Sequence, residues 1–328
     1  MAGPRVVIGA PLYGQSEHLR EALGSLLAQT YRDFRLVLVD DRSPDDTVAV
    51  ARAVAGEDPR VEIHVNLRRL GMLQNTNRAW ALSRERHPGA EFWALGSDHD
   101  VWAPEWLERL VAALDASPRA VLAYPRTQRI DAAGRVVRGS WRFSTAGMED
   151  PRRRLHHCLR RMVSGDMIYG LFRSAPLDRL GFYRPVLAPD RLLLSELALE
   201  GEFVQVPELL WSRRHVGLAS LDRQRRAFWP DSSPPAAARV PWWIAHTRDV
   251  ARRHGTVFAA RHYAPPSLAF QVTSRAHRVV GAAVVPPVRA AIRTPAGRRV
   301  VRAAVLPAVR ASREVLERLS EEDAEAPR

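Results

Sequence analysis

The sequence predicts an α/β protein built on a doubly wound, mostly parallel sheet, and three observations predict it. Short apolar runs alternate with segments of helical spacing from residue 6 to residue 124, the pattern of consecutive strand–helix units. Polar residues stand directly after successive runs, at Asp40-Asp41, Asn66 and Asp98, where such sheets bind ligands beyond the carboxyl ends of their strands. A chain of 328 residues, 46% hydrophobic, can also bury one large core or two modest ones.

Taken in order, residues 5–11 read as a short buried strand broken by Gly9 and Pro11. Residues 16–29 place Leu19, Ala22, Leu23, Leu26 and Leu27 on one helical face, with Ser16 offered as the N-cap. A strand at 34–39, a helix introduced by Asp45-Asp46-Thr47 and ending at Ala55, and a strand at 61–65 follow. Next come a helix at 73–84, a strand at 91–95 and a helix at 104–114 that turns Trp106, Leu107, Leu110 and Leu114 inward. A strand at 120–124 closes the series.

After Pro125 the alternation weakens. Residues 130–136 resemble a hairpin turning at 131–134, and 144–154 are polar, turn-rich and expected to be mobile. Residues 162–172 carry Gly165-Asp166 and then an apolar piece that returns to the sheet. Asp190 precedes a nearly buried helix at 191–199, followed by two short strands at 203–207 and 209–215. A Pro-, Ser- and Ala-rich linker spans 230–241, and a helix spans 242–254. The chain then continues as a basic, partly helical and irregular C-terminal extension with an amphipathic stretch at 307–319.

The formal charge is +13, and all 49 basic residues are arginine, whose fork suits phosphate and carboxylate. Between Val250 and Ala311 eleven arginines meet no Asp or Glu, a field that attracts anionic surfaces. One cysteine, Cys158, excludes an intramolecular disulfide and any cysteine-based zinc cluster. No apolar stretch reaches the roughly 18 residues of a bilayer span, and no signal peptide is evident, so the expected setting is cytoplasmic, peripheral at most to the inner face of the plasma membrane.

The chemistry centres on Asp98-His99-Asp100 at the end of the apolar run 92–95. Two carboxylates spaced i, i+2 beside a Gly-Ser turn can share one hard cation, Mg2+ or Mn2+, which leaves positions open for phosphate oxygens. That arrangement points to an enzyme acting on a phosphorylated, nucleotide-activated substrate.

Over residues 6–215 the chain resembles the inverting family 2 glycosyltransferases of GT-A fold. Pro11-Leu12-Tyr13-Gly14 resembles the family's opening Pro-x-Tyr-Asn, and Asp40-Asp41-Arg42-Ser43 its Asp-Asp-x-Ser element. Asn66, Gly71 and Asn77 resemble its Asn-Gly-Asn segment, and Asp98-His99-Asp100 stands at its Asp-x-Asp position. The resemblance implies a nucleoside diphosphate sugar as donor, UDP-sugar favoured, and a saccharide, lipid-linked or small-molecule acceptor from cell-envelope polysaccharide or glycolipid synthesis. Residues 1–125 would form the nucleotide-sugar half, 126–229 the acceptor and catalytic half, and 230–328 the basic extension.

On this reading Pro11, Tyr13 and Asp41 hold the base and ribose, Arg68 a phosphate or base edge, and Asp98 the ribose or donor sugar. Asp100 ligates the metal, with His215 as a further ligand. Asp190 is the general base, with Asp166 and Glu196 as fallbacks; Asp166 better suits acceptor hydroxyls. Trp211, like Trp141 and Trp229, offers an apolar face to sugar rings. The alternative is a basic membrane-surface or nucleic-acid binding module on an α/β scaffold. No nucleic-acid signature supports it, and the extension could equally rest on anionic membrane or form a homodimer contact through the apolar run 279–285.

Overall fold

The computed structural model describes residues 3–138, 142–162, 165–214 and 221–270. Strand β1 (Val6–Leu12) is buried at every position except Pro11, as a strand covered on both faces must be. It pairs in parallel with β2 (Phe34–Asp40) on one side and β4 (Phe92–Leu95) on the other, and β3 (Val61–Val65) extends the parallel half beyond β2. The helices between them are α1 (Ser16–Leu27), α2 (Thr47–Ala55) and α3 (Met72–Arg86). Ser16 begins α1 without capping it: the N-cap is Gln15, and no side chain bonds there. The Ser16 N–H instead donates to Asp45 Oδ2 at 3.2 Å.

The second half is mixed. After β5 (Val101–Trp102) and α4 (Trp106–Asp115), β6 (Ala120–Ile130) runs six residues beyond the expected Tyr124, then turns through Asp131–Gly134 into β7 (Val136–Arg138). Strand β8 (Leu171–Arg173) inserts antiparallel between β4 and β6, and β9 (Glu202–Arg214) lies parallel to β6. The sheet order is β3-β2-β1-β4-β8-β6-β9-β5, with β7 on β6. The two strands expected at 203–207 and 209–215 are therefore one. Pro125 and Pro207, which lack an N–H for the ladder, coincide with the register shifts that make them read as breaks.

The sheet is wound on both faces. Leu19, Leu23 and Leu26 of α1 and Leu107 and Leu110 of α4 cover one face; Ala79 of α3 and Leu193 and Leu197 of α7 (Pro189–Glu200) cover the other, beside α5 (Pro151–Arg161) and α6 (Ser174–Leu180). The segment expected to be mobile is tied down. Asp150 caps α5 by accepting from Arg152 N at 2.8 Å, and Thr145 exchanges bonds with Phe203 of β9.

Two buried arginines then fasten α5 to α7. Arg191 donates to the last carbonyls of α5 at Leu159 and Met162, and Arg154 to those of α7 at Ala198 and Leu199. Each helix thus satisfies the other's orphan C-terminal acceptors.

After α8 (Leu221–Phe228), the expected linker contains a short helix, α9 (Ala236–Arg239), and α10 (Trp242–His254) packs Ala245 and Val250 against Leu155, Leu159 and Leu192. The first of two units ends at Leu268. Trp141, His215, the apolar run 279–285 and the stretch 307–319 lie outside the described residues. Among the described residues no helix is long and apolar enough to cross a membrane.

Candidate active site

Two loops meet at the carboxyl end of β1. The Asp41 N–H donates to Leu12 O at 3.0 Å, and the next residue along, Tyr13, donates its N–H to Asp98 Oδ2 at 3.0 Å. Asp40 and Asp41 then do different work. Asp40 closes its own turn on Ser43 through both the N–H and the hydroxyl. Asp41, 2% exposed, accepts from Asn66 Nδ2 at 2.9 Å, Leu70 N at 2.7 Å and Gly71 N at 2.8 Å.

This carboxylate folds the 66–71 loop over the rim. Gly71 is required there: its φ is +85°, and a Cβ would lie 2.4 Å from Phe228 O. Asn75 completes the clasp, accepting from Asn66 and donating to Val39 O at 2.9 Å. The loop lays Arg69 over the Tyr13 ring, 4.2 Å from its centroid. Arg68 beside it is exposed.

The acidic triplet after β4 is buried. Asp98 Oδ1 lies 2.6 Å from His99 Nδ1, and Asp100, 1% exposed, accepts the Arg214 N–H on Oδ1 at 2.8 Å. Its other oxygen, Oδ2, is buried without a hydrogen-bond partner. Burial pushes the Asp100 carboxyl above the ordinary range, against the pull of His99, the Arg214 N–H, Arg213 and Ser97. Burial opposes protonation of His99, yet the bond to Asp98 and the charges of Asp98 and Asp100 prevail and raise it.

Arg214 at the end of β9 fixes this turn. It is 2% exposed and donates to His99 O at 2.9 Å, to Asp131 O and Ala132 O in the β6–β7 turn, and to Glu21 of α1 at 2.5 Å.

Asp190 approaches from the other side. It is the second residue of α7, and the N-cap is Ala188, held in the left-handed region at φ 50°. Asp190 is therefore not the cap. Burial pushes its carboxyl up, offset by the Arg191 N–H and the charges of Arg213 and Arg191. Its Oδ2 packs on Gly165, where a Cβ would lie 2.2 Å away.

Beyond Gly165, Asp166 is clasped by Arg129 at 2.8 and 2.9 Å and by Arg213 at 2.5 Å. Tyr169 joins the two groups: the charges of Arg213, Asp100, Asp98 and Asp190 all act on its hydroxyl. Arg213 lies over one side of its ring at 5.9 Å.

The structure thus brings Tyr13, Asp98, Asp100, Asp166 and Asp190 around one region, with Pro11 and Asp41 on the adjoining rim. Trp211 is a correction. At 1% exposure it belongs to the core, its ring tilted against Tyr169 with centroids 4.7 Å apart, because β9 is a central strand there and its face is covered. Trp229, 7% exposed, is buried likewise. Glu196, the fallback base, sits on α7 against Arg184, Arg253 and His254, an ion cluster that offsets only part of its burial, so its carboxyl stays raised.

Sequence reasoning missed Arg69, Asn75 and Arg129. It also missed His246 of α10, whose Nε2 meets Leu187 O at 2.8 Å and supports the approach to Asp190. A lone histidine or asparagine on a helix carries no positional signal; only packing reveals these partners.

Residues 7–174 match the family model for glycosyl transferase family 2. The chain belongs to glycosyl transferase family 2. Family membership supports a transferase over a binding module. The structure of S. aureus TarS in complex with UDP-GlcNAc superposes with a TM-score of 0.51 at 17% identity, covering 79% of this chain and 73% of that one.

An uncharacterized glycosyltransferase of Haemophilus influenzae is 25% identical to this family 2 chain over 112 residues, 34% of the chain and 33% of that protein. The O-antigen biosynthesis protein RfbC of Myxococcus xanthus is 29% identical over 133 residues, 40% of the chain and 10% of RfbC. The matched stretches thus span a third or less of these two relatives.

Among the described residues, no group of three or more His, Cys, Asp or Glu side chains could by itself hold a metal. The unpartnered Asp100 Oδ2 nevertheless fits a hard cation that takes one or two carboxylate oxygens and completes its shell with water and phosphate.

Proposed function

We propose that this family 2 enzyme is an inverting glycosyltransferase that moves a sugar from a nucleoside diphosphate sugar, UDP-sugar favoured, to an acceptor hydroxyl in cell-envelope polysaccharide or glycolipid synthesis. The observation that carries the reading is the buried Asp100 Oδ2, which has no hydrogen-bond partner, close to Asp98 and with Asp190 acting on the same Tyr169 hydroxyl. The likeness to TarS, solved with UDP and with UDP-GlcNAc, supports a uridine nucleotide, and the likeness to RfbC supports an envelope polysaccharide.

Asp100, with His215 of the family pattern, would hold Mn2+ or Mg2+. A bound divalent cation supplies charge neutralisation for the departing diphosphate. Tyr13, covered by Arg69, and Pro11 and the loop pinned by Asp41 hold the base and ribose, and the exposed Arg68 serves a phosphate or base edge. Asp98 meets the ribose or donor sugar.

Asp190 takes the proton of the acceptor hydroxyl as its oxygen bonds to the anomeric carbon from the face opposite the leaving group. The carbon–oxygen bond to the diphosphate breaks in the same displacement, and the nucleoside diphosphate leaves. A carboxyl raised by burial is a stronger base than an exposed one, which suits the role. Asp166, oriented by Arg129 and Arg213, faces the acceptor. The basic run from Val250 to Ala311 gives the enzyme a means of resting on anionic lipid or of pairing with a second copy.

Thermal shift with UDP, GDP and dTDP, each with and without Mn2+, tests the reading. UDP with Mn2+ should raise Tm most, and Asp100→Asn should lose the metal-dependent part of the shift. An identical shift in wild type and Asp100→Asn would remove Asp100 from the donor site.

A further inference from the structure

On the acceptor half, a cavity of about 530 Å³ opens between α5 and β9, lined by Arg142, Phe143, Ser144, His157, Arg161 and Gln205. Its size lies within the range of small-ligand sites. None of the described lining residues is acidic, and two arginines and a histidine are among them. The Arg161 charge reaches His157 and, after burial, helps hold its imidazole below the ordinary value.

The floor is rigid. Phe143 is pinned by its carbonyl to the Tyr124 hydroxyl and by its N–H to Gln205 Oε1 at 3.3 Å, and Ser144 Oγ donates to Phe203 O at 2.9 Å. His157 packs against the Phe143 ring, with centroids 5.0 Å apart. The α5 carbonyls that would repel an anion are already satisfied by Arg191.

The position links this cavity to the reacting centre. Gln205 of β9 pairs with Tyr124 of β6, and the same two strands end in Arg129 and Arg213, which clasp Asp166. Helix α5, bearing His157 and Arg161, leads within four residues to Gly165 under Asp190.

We propose that Arg142, His157 and Arg161 form a subsite for a phosphate ester carried by the acceptor, away from the hydroxyl that is glycosylated. The proposal rests on the glycosyltransferase reading above and names its acceptor class. Two guanidinium forks suit the oxygens of a phosphate ester, and the Phe143 and His157 rings wall the attached group.

Calorimetry with inorganic phosphate, glucose 6-phosphate, glucose, and a polyprenyl phosphate in neutral vesicles tests it. Wild type is compared with Arg142→Ser/Arg161→Ser and with the conservative Arg142→Lys; UDP with Mn2+ is measured on all three. Both arginines are exposed, so the variants should fold, and their melting curves check this.

The expected result is phosphate binding that weakens about tenfold or more in the double variant, partly recovers with lysine, and leaves UDP binding unchanged. Glucose should not bind at the cavity. A gain for glucose 6-phosphate over inorganic phosphate identifies a soluble phosphorylated saccharide, and a gain for the polyprenyl phosphate identifies a lipid-linked one.

Equal phosphate affinity in wild type and the double variant overturns the subsite. Parallel loss of phosphate and UDP binding overturns it as well, because the arginines would then belong to the donor site. If UDP binds none of the proteins, the glycosyltransferase reading fails while the phosphate comparison still decides the cavity.

Discussion

Asp190 sits where local chemistry makes a carboxylate expensive and reactive together. Its raised value means that it is protonated in folded and unfolded chains below about pH 4. As pH climbs, the unfolded chain ionises first, so the stability conferred by the neutral group is lost as pH rises through the folded value. Asp190→Asn removes that loss. The variant should match wild type in Tm at acid pH and exceed it at pH 8, while transfer falls about a hundred- to ten-thousand-fold. A variant that is no more stable at pH 8 and still transfers sugar would take Asp190 out of the mechanism.

The neighbouring Ala188 stores strain at φ 50°. Ala188→Gly should stabilise by about 1 kcal/mol or less, the relief of the left-handed conformation offset by greater unfolded-state freedom. Urea unfolding measures it. Asp190 was legible as a candidate because it follows Pro189 and opens an apolar helix. The strain at 188 was not legible, since alanine carries no mark of positive φ.

At the scale of elements, β9 and the 66–71 loop hold the site. Arg214 ties the end of β9 to the acidic turn, the β6–β7 hairpin and α1. Lysine keeps the charge but cannot present the same fork to separate acceptors. Arg214→Lys should destabilise by about 1–3 kcal/mol and lower kcat, with the Mn2+ dependence shifted to higher concentration. Unaltered Mn2+ dependence in a folded variant would mean that Asp100 needs no such support.

Gly71→Ala should act on the donor instead. Its clash with Phe228 O displaces the loop that Asp41 holds, so KM for the donor should rise more than kcat falls. The parallel strands and their helices were readable because apolar runs and helical spacing alternate without interruption up to Tyr124. Strand β8 was readable as an apolar piece returning to the sheet, but β5 and the full length of β6 and β9 were not. Two-residue β5 has no periodicity to read, and prolines at 125 and 207 look like ends when the strands merely shift register around them. The anticipated mobile segment failed for a related reason: its polar residues are spent on capping α5 and bonding β9, which composition alone cannot distinguish from solvation.

Across the whole molecule, α10 and the helical segment Ala259–Tyr263 support the approach to Asp190 through His246. Its Nδ1 lies 3.2 Å from the Tyr263 hydroxyl and its Nε2 bonds Leu187 O. Burial pushes His246 down to about 3. The unfolded chain takes up a proton near pH 6.5 and the folded chain does not. Stability from this group is therefore complete above that value and declines as pH falls from about 6.5 toward about 3. His246→Gln should flatten that decline in urea titrations between pH 4 and 7.5, and an unchanged slope would place the acid sensitivity elsewhere. The sequence marked residues 242–254 as a helix but gave no hint that it buttresses α7, because helical spacing does not say which element Ala245, His246 and Val250 will pack against.

Strand β9 has one consequence of its own. Gln205 floors the basic cavity, and Arg213 of the same strand grips Asp166, so a single stretch of backbone joins both ends of the proposed acceptor path. Extended chain sets their separation at no more than about 27 Å, and hydrogen bonds to β6 keep it from stretching. The enzyme would thereby carry a built-in ruler: acceptors too short to reach from anchor to nucleophile-activating group would bind without being glycosylated, and chain length itself would become a basis for choosing substrates.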